Sequence, residues 1–498
     1  MDPQPQRPDR PLSRRAGLLL ALLAVAAFHP AFLEPRLSPL VLVYLGALFS
    51  LRRLPTARSG FYTGLALGLG VFAPQLAFFW TIFGPAAAAL WLILAFWQGV
   101  TVALFGSLHQ RWGSAITWLA APVVWLGIEF FRSELYYLRF AWLTAGSVLP
   151  VSLTAPILPF TGIYGLGALL MFLAAGLTVF LEAGRAASRR LREPLYTLGL
   201  VLLVGIAVVL GALNADSTVP RRGPDGVRVA GLQLEFPGPA ELMENLREFA
   251  RNGPPADLLV LSEYTFDGPV PDNVRAWCRQ QRRWLIAGGK EPLEGGRFYN
   301  TAYVIDTNGA IAFQHAKTVP IQFFSDGLPA PRPEVWESPW GRLGLCVCYD
   351  LNYARAIDGL VALGAKALIV PTMDVESWGR HEHHLNARLA PVRAAEYRLP
   401  VLRVASSGIS QLIDARGRVT ASAPTPGPGE ILAGEMRWDN QVVPGRPLDR
   451  WLGPAASLLT GLLTLFFMLP AAWKRRLAST APSSPDSDPD PVTTSNPA

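Results

Sequence analysis

Glu263, Lys317 and Cys348 are the residues of this 498-residue chain best placed to do nucleophilic chemistry. Cys348 closes the apolar run RLGLCVCYD (342–350), where a strand gives way to a helix. Such a corner exposes a side chain beside the free N–H groups of the helix's first turn. Those groups favour a thiolate and can receive an oxyanion. Cys346 lies two residues earlier, deeper in the run, and on a regular strand shares the face of Cys348. Glu263 closes DLLVLSEYTF (257–266), and burial at a strand end moves a carboxyl toward the range of a useful base. Lys317 is the single lysine of segment 291–364 and follows a strand ending in His315-Ala316. Each also suits a plainer role: core cysteines, a strand-end carboxylate turned to water, a solvated lysine, a packed histidine.

Other chemistries have less support. The three cysteines, Cys278, Cys346 and Cys348, are too few for a disulfide framework. Cys-x-Cys meets no second cluster at zinc spacing. His381, Glu382, His383 and His384 lack the His-Glu-x-x-His pattern. Gly-x-Ser-x-Gly and glycine-rich phosphate loops are missing from convincing strand-to-helix junctions. No metal and no cofactor are expected.

The elements that must position these residues alternate. VRVAGLQL (227–234), DLLVLSEYTF, WLIAGG (284–289), a hairpin over 300–317, RLGLCVCYD and KALIVPT (366–372) read as strands. Helical stretches at 239–251 and 380–398 separate them, and three or more strands follow 400. This is an α/β layered domain.

The first 213 residues are of another kind. They hold 15 arginines, no lysine and seven acidic residues, so the whole formal charge of +7 comes from this apolar half. The full chain is 16% charged, against roughly 25% for a soluble domain. Apolar stretches at about 16–33, 37–51, 60–80, 85–107, 113–131, 159–181 and 194–213, and an eighth at about 451–473, suit membrane spans. With the N-terminus inside, the inner segments carry 15 cations and the short outer ones only Arg36, Arg132 and Arg139. That asymmetry follows the positive-inside rule and places 214–450 outside the cytoplasm. The basic balance is a topology signal, and no nucleic-acid partner is expected. The expected domains are 1–213 (about seven spans), 214–450 (the α/β domain), 451–473 (a last span) and 474–498, a solvated cytoplasmic tail.

Glu, Lys and Cys in this order on three strand ends, with the cysteine in Cys348-Tyr349-Asp350, resemble the carbon–nitrogen hydrolase (nitrilase) superfamily. Seven spans before such a domain and one after it resemble the apolipoprotein N-acyltransferase family. GFYTGLALGLGVFAPQLAFFW (60–80), WLGIEFFR (125–132), FAWLTAGSVLP (140–150), GIYGLGALLMFL (162–173) and RAAEYRLPVLRVASSGISQLID (393–414) extend the likeness. The resemblance implies a membrane helical bundle joined to a nitrilase-like αββα sandwich in a bacterial inner membrane. It implies a Cys348 thioester, Glu263 as base, Lys317 on the oxyanion, and Tyr349, Asp350 and Trp378 as site support. The implied partners are a phospholipid acyl donor, a diacylglyceryl apolipoprotein acceptor and the lipid bilayer. An amidase using water, or a non-catalytic membrane scaffold, are the alternatives. Three segments depart from the family pattern. Phe323 stands where an acid is expected after the lysine, Met373–Trp378 replaces Asn-Asp-x-Trp-Phe, and Asp350 replaces Glu.

Overall fold

The computed structural model describes residues 11–186, 205, 225–423, 427, 429–439 and 446–469. Its N-terminal bundle contains α1 (Arg14–Leu33), α2 (Leu40–Ser50), α3 (Ala57–Gln75), α4 (Phe79–Phe83), α5 (Ala86–Phe130) and α6 (Leu158–Ala186). The segment α5 is not one rod. Gly113 adopts φ 77°, which a side chain would resist, and the Trp97 and Phe131 rings on either side of it meet at 5.3 Å. The chain therefore folds back at Gly113 into two antiparallel helices, in place of the two expected spans 85–107 and 113–131. Glycines four apart on α3 let it approach closely: a Cβ on Gly64 would lie 2.9 Å from the Gln98 carbonyl oxygen.

Four helical stretches among the described residues are long and apolar enough to cross a membrane: Arg14–Leu33, Ala86–Leu135, Leu158–Glu182 and Asp449–Met468. The expected second span is only the 11-residue α2, about 16 Å long against a hydrocarbon core of about 30 Å. It still returns the chain to its starting side, because Leu12 N–H donates to the Arg53 carbonyl at 2.9 Å. The expected seventh span, 194–213, apart from Gly205, and the tail, 474–498, lie outside the described residues.

Two sheets form the second half. The strands are β1 (Asp225–Leu232), β2 (Leu258–Leu261), β3 (Trp284–Pro292), β4 (Phe298–Ile305), β5 (Ile311–Ala316), β6 (Val335–Ser338), β7 (Gly341–Leu345), β8 (Ala367–Thr372), β9 (Val401–Ala405), β10 (Gln411–Ile413), β11 (Val419–Ser422) and β12 (Ile431–Trp438). They run β12-β1-β2-β3-β4-β5 and β11-β10-β9-β8-β7-β6. The all-apolar β2 is explained by burial on both faces. Leu258 and Val260 pack between the sheets, while Leu259 and Leu261 pack under α7 (Pro239–Asn252) and α8 (Asp272–Gln281). The other sheet is covered by α9 (Ala354–Ala362) and α11 (Leu389–Tyr397), with α10 (Arg380–Ala387) between them in sequence. This is a nitrilase-like αββα sandwich. The single helix expected over 380–398 is divided into α10 and α11.

The last helix, α12 (Asp449–Met468), returns along the bundle, where Ser457 Oγ donates to the Gly127 carbonyl at 2.9 Å. A buried ionic cluster fixes the two halves against each other. Arg450 pairs with Glu396 (3.0 Å), Asp449 (2.6 Å) and Asp358 (3.2 Å), and Arg393 pairs with Glu396 at 2.5 Å. Glu396 also accepts from the Ile163 N–H of α6 at 3.0 Å, and Glu134 accepts from the Ala354 N–H at 2.9 Å.

Candidate active site

The alternation of β7 explains how its two cysteines part company. Leu343, Leu345 and Val347 point between the sheets, and Cys346 points outward into the core under α9. By parity Cys348 would follow Cys346 outward. It does not, because its backbone turns left-handed (φ 49°) and a 3-10 turn begins. The side chain swings to the sandwich end, against the expectation that both cysteines share a face. Such a backbone costs about 1–3 kcal/mol for a non-glycine residue. Asp350 holds the turn in place, its carboxylate accepting from the N–H groups of Val347 (3.0 Å), Thr318 (3.0 Å) and Val319 (2.6 Å). Burial nevertheless raises the Asp350 carboxyl to about 6.

Glu263 and Lys317 arrive from the other sheet. Glu263 Oε1 accepts from Lys317 Nζ at 2.9 Å and from Asn300 Nδ2 at 2.6 Å, while Oε2 accepts from the Met373 N–H at 2.8 Å. The Met373 carbonyl faces the Cys348 thiol, Sγ to O 3.7 Å. One peptide residue thus ties carboxylate and thiol together. All three side chains are buried, with Cys348 showing 6% exposure.

A second carboxylate, not foreseen from the sequence, completes the group. Asp326 Oδ2 lies 2.7 Å from Lys317 Nζ, and its Oδ1 accepts from Tyr264 (2.7 Å) and Asn300 (2.8 Å). It stands three residues beyond the position where an acid was expected. Phe323 there is 81% exposed, whereas Asp326 is 1% exposed. The loop residues after Lys317 therefore turn their acid inward at 326. Tyr264, directly after Glu263, was the available hint, since its hydroxyl needs a buried acceptor.

Electrostatics follow from two carboxylates around one ammonium. Burial pushes Lys317 toward neutrality, but Asp326 and Glu263 more than reverse this and hold it charged. Burial and then Glu263 push the Cys348 thiol well above its ordinary range, with Lys317 opposing. The thiol rests protonated, so proton removal must accompany attack. Cys346, buried beside Asp350, is raised as well.

Cys348 opens into a cavity of about 590 Å³ shared with the helical bundle. Phe79, Phe83, Leu90 and Ile93 wall one side, Phe140 and Trp142 another, and Tyr349 and Trp378 line the domain side. An apolar chain fits these walls. His315 lies apart, buried in β5 opposite Ala302, and burial lowers its ring to about 4. His381 and His383 each bond a backbone carbonyl, of Gln75 (2.9 Å) and Val375 (3.0 Å). Among the described residues no group of His, Cys, Asp and Glu is arranged to hold a metal ion.

Gly288 sets the height of Glu263. A Cβ there would sit 2.6 Å from the Glu263 Cα. Gly288→Ala is expected to shift the carboxylate and slow thiol acylation by about 10²-fold, measured by trapping of labelled acyl groups on the protein. Unchanged acylation would show that the spacing tolerates the shift.

The two halves match separate families. Residues 20–176 match the family model of the apolipoprotein N-acyltransferase N-terminal domain, and residues 238–437 match that of carbon–nitrogen hydrolases. The chain is 27% identical to the apolipoprotein N-acyltransferase of Azotobacter vinelandii, over 94% of this chain and 97% of that protein. It is 23% identical to that of Geobacter metallireducens, over 86% and 91%. Among solved structures, an amidase from Nesterenkonia sp. aligns with 45% of this chain and 94% of its own, at 21% identity and a TM-score of 0.37. With one model covering the helical bundle and the other the sandwich, and with relatives matched over most of their length, the chain belongs to the apolipoprotein N-acyltransferase family.

Proposed function

We propose that this protein moves a fatty acyl chain from a phospholipid to the α-amino group of a diacylglyceryl-cysteine at the N-terminus of an apolipoprotein. The observation that carries this reading is the junction of a thiol, a carboxylate and a lysine with an apolar cavity walled by membrane helices. A lipid donor and a lipidated acceptor both need such walls; a soluble amide does not.

Glu263 takes the proton of Cys348 as the sulfur attacks the ester carbonyl, worth roughly 10²–10⁴-fold. Lys317 and the N–H groups around Tyr349 hold the oxyanion. Collapse breaks the ester C–O bond, and Glu263 returns the proton to the departing lysophospholipid alkoxide. The amine then attacks the Cys348 thioester and releases the thiol. Asp350 supports the turn that carries Cys348, and Trp378 lines the acyl cavity.

The same reading places the protein in a bacterial inner membrane with both termini cytoplasmic and residues 214–450 on the outer face. Arg52 and Arg53 pair with Glu182 at one end of the bundle, and the sandwich docks at the other.

Incubation of purified protein with labelled phospholipid and a synthetic diacylglyceryl peptide tests the proposal. N-acyl peptide is expected. Free fatty acid without N-acyl peptide would favour the water-using amidase instead.

A further inference from the structure

Glu382, on α10, is a buried acid that the acylation chemistry leaves unused. It is 2% exposed and lines the same cavity as Cys348, Met373 and Trp378. Its Oε2 has no hydrogen-bond partner. The groups that face it do not fill that vacancy. Arg403 pairs with Asp374 at 2.5 Å, and Asn386 Nδ2 donates to the other Asp374 oxygen at 2.7 Å while the same amide also bonds the Glu382 carboxyl, without reaching Oε2. The His383 ring stands 3.9 Å from Oε2 while bonding the Val375 carbonyl at 3.0 Å.

A carboxyl oxygen buried without a donor is costly, and an N–H group entering the cavity would satisfy it. The entrant must also carry apolar chains that suit the neighbouring walls. A lipidated N-terminal amine has both properties at its reacting group; water has no apolar chain, and the reacting ester of a phospholipid carries no N–H. We propose that Glu382 receives the α-amine of the acceptor and holds the proton this amine must give up before it attacks. This inference rests on the acyl-transfer function proposed above.

The step balances as follows. The ammonium gives one proton to the Glu382 carboxylate, and the nitrogen lone pair attacks the thioester carbonyl carbon. A C–N bond forms and the C–S bond breaks. The second nitrogen proton passes through Glu263 to the Cys348 sulfur, and Glu382 later releases its proton to water. Burial and then the Asp374 carboxylate raise the Glu382 carboxyl well above its ordinary range; its ionised form, left when the proton is lost to water between turnovers, is the one that takes the ammonium proton and is a stronger base than an ordinary carboxylate. In so dry a site the neutral pair of acid and amine is favoured over carboxylate and ammonium, and the neutral amine is the nucleophile.

The two half-reactions of the full-length protein separate this role from a structural one. Glu382→Gln is expected to keep forming acyl-enzyme from labelled phospholipid. Chase of that acyl-enzyme with a diacylglyceryl peptide should slow by about 10²-fold at pH 7. The deficit should shrink toward pH 9, where an α-amine, of pKa about 8, is neutral without help. Glu382→Asp, which keeps a carboxyl, should recover part of the chase rate. Equal losses in both half-reactions, a deficit independent of pH, or an unchanged chase would each overturn the proposal. Absence of acyl-enzyme in the unsubstituted protein would instead remove the acyl-transfer function, and the role of Glu382 with it.

Discussion

Cys348→Ala is expected to abolish acyl-enzyme formation and transfer, a loss of at least about 10⁴-fold, whereas Cys346→Ala should leave turnover largely intact. The two thiols are two residues apart and both are buried, so composition and spacing treat them alike. Geometry does not. Cys346 faces the core under α9, among Leu351, Ile357 and Leu360. Cys348 turns through φ 49° to meet the Met373 carbonyl and the lipid-sized cavity. Truncating Cys346 removes one buried sulfur and should lower stability by about 1–2 kcal/mol, read as a small drop in Tm. Mass spectrometry of protein incubated with phospholipid checks the acyl-enzyme. Equal loss in both variants would remove Cys348 as the nucleophile.

Lys317→Met should have the second-largest effect, and on two observables at once. It leaves Glu263 and Asp326 facing one another in a buried site with no cation between them. Breaking a buried ion pair from one side costs about 3–5 kcal/mol, so unfolding should shift by several degrees. One of the two carboxyls would take up a proton to relieve the repulsion. If that is Glu263, the base is lost, and oxyanion stabilisation is lost in either case. Acylation of Cys348 should fall by about 10²–10³-fold. A lysine that merely solvates a strand end would show neither change, and normal acylation by a stable Lys317→Met protein would exclude it from the chemistry.

Some of the site was visible in the chain and some was not. Glu263, Lys317 and Cys348 each end an apolar strand, and strand ends of a layered α/β domain gather on one edge, so their convergence followed from pattern. Asp326 and Asn300 gave no such signal. Asp326 lies in an irregular loop whose path depends on Ile321 N–H and Tyr264 bonding to it, and no periodicity describes that. Glu382 read as one of four polar residues at a helix start. Its exposure of 2% is a product of packing, with Asp374, Arg403 and Asn386 around it and the neighbouring His381 bonding the Gln75 carbonyl of α3.

Membrane bundle and sandwich were separable from residue content alone, because the transfer energy of an apolar run and the charge of an arginine loop are local properties. The turn of Cys348 away from Cys346, the pairing of Lys317 with two acids and the cavity shared by both halves are not local. They depend on distances among residues 263, 317, 326, 348 and 373, which lie far apart along the chain and come from both sheets. Packing alone brings those charges together in a medium where water no longer screens them, and there a few ångströms decide which group keeps its proton.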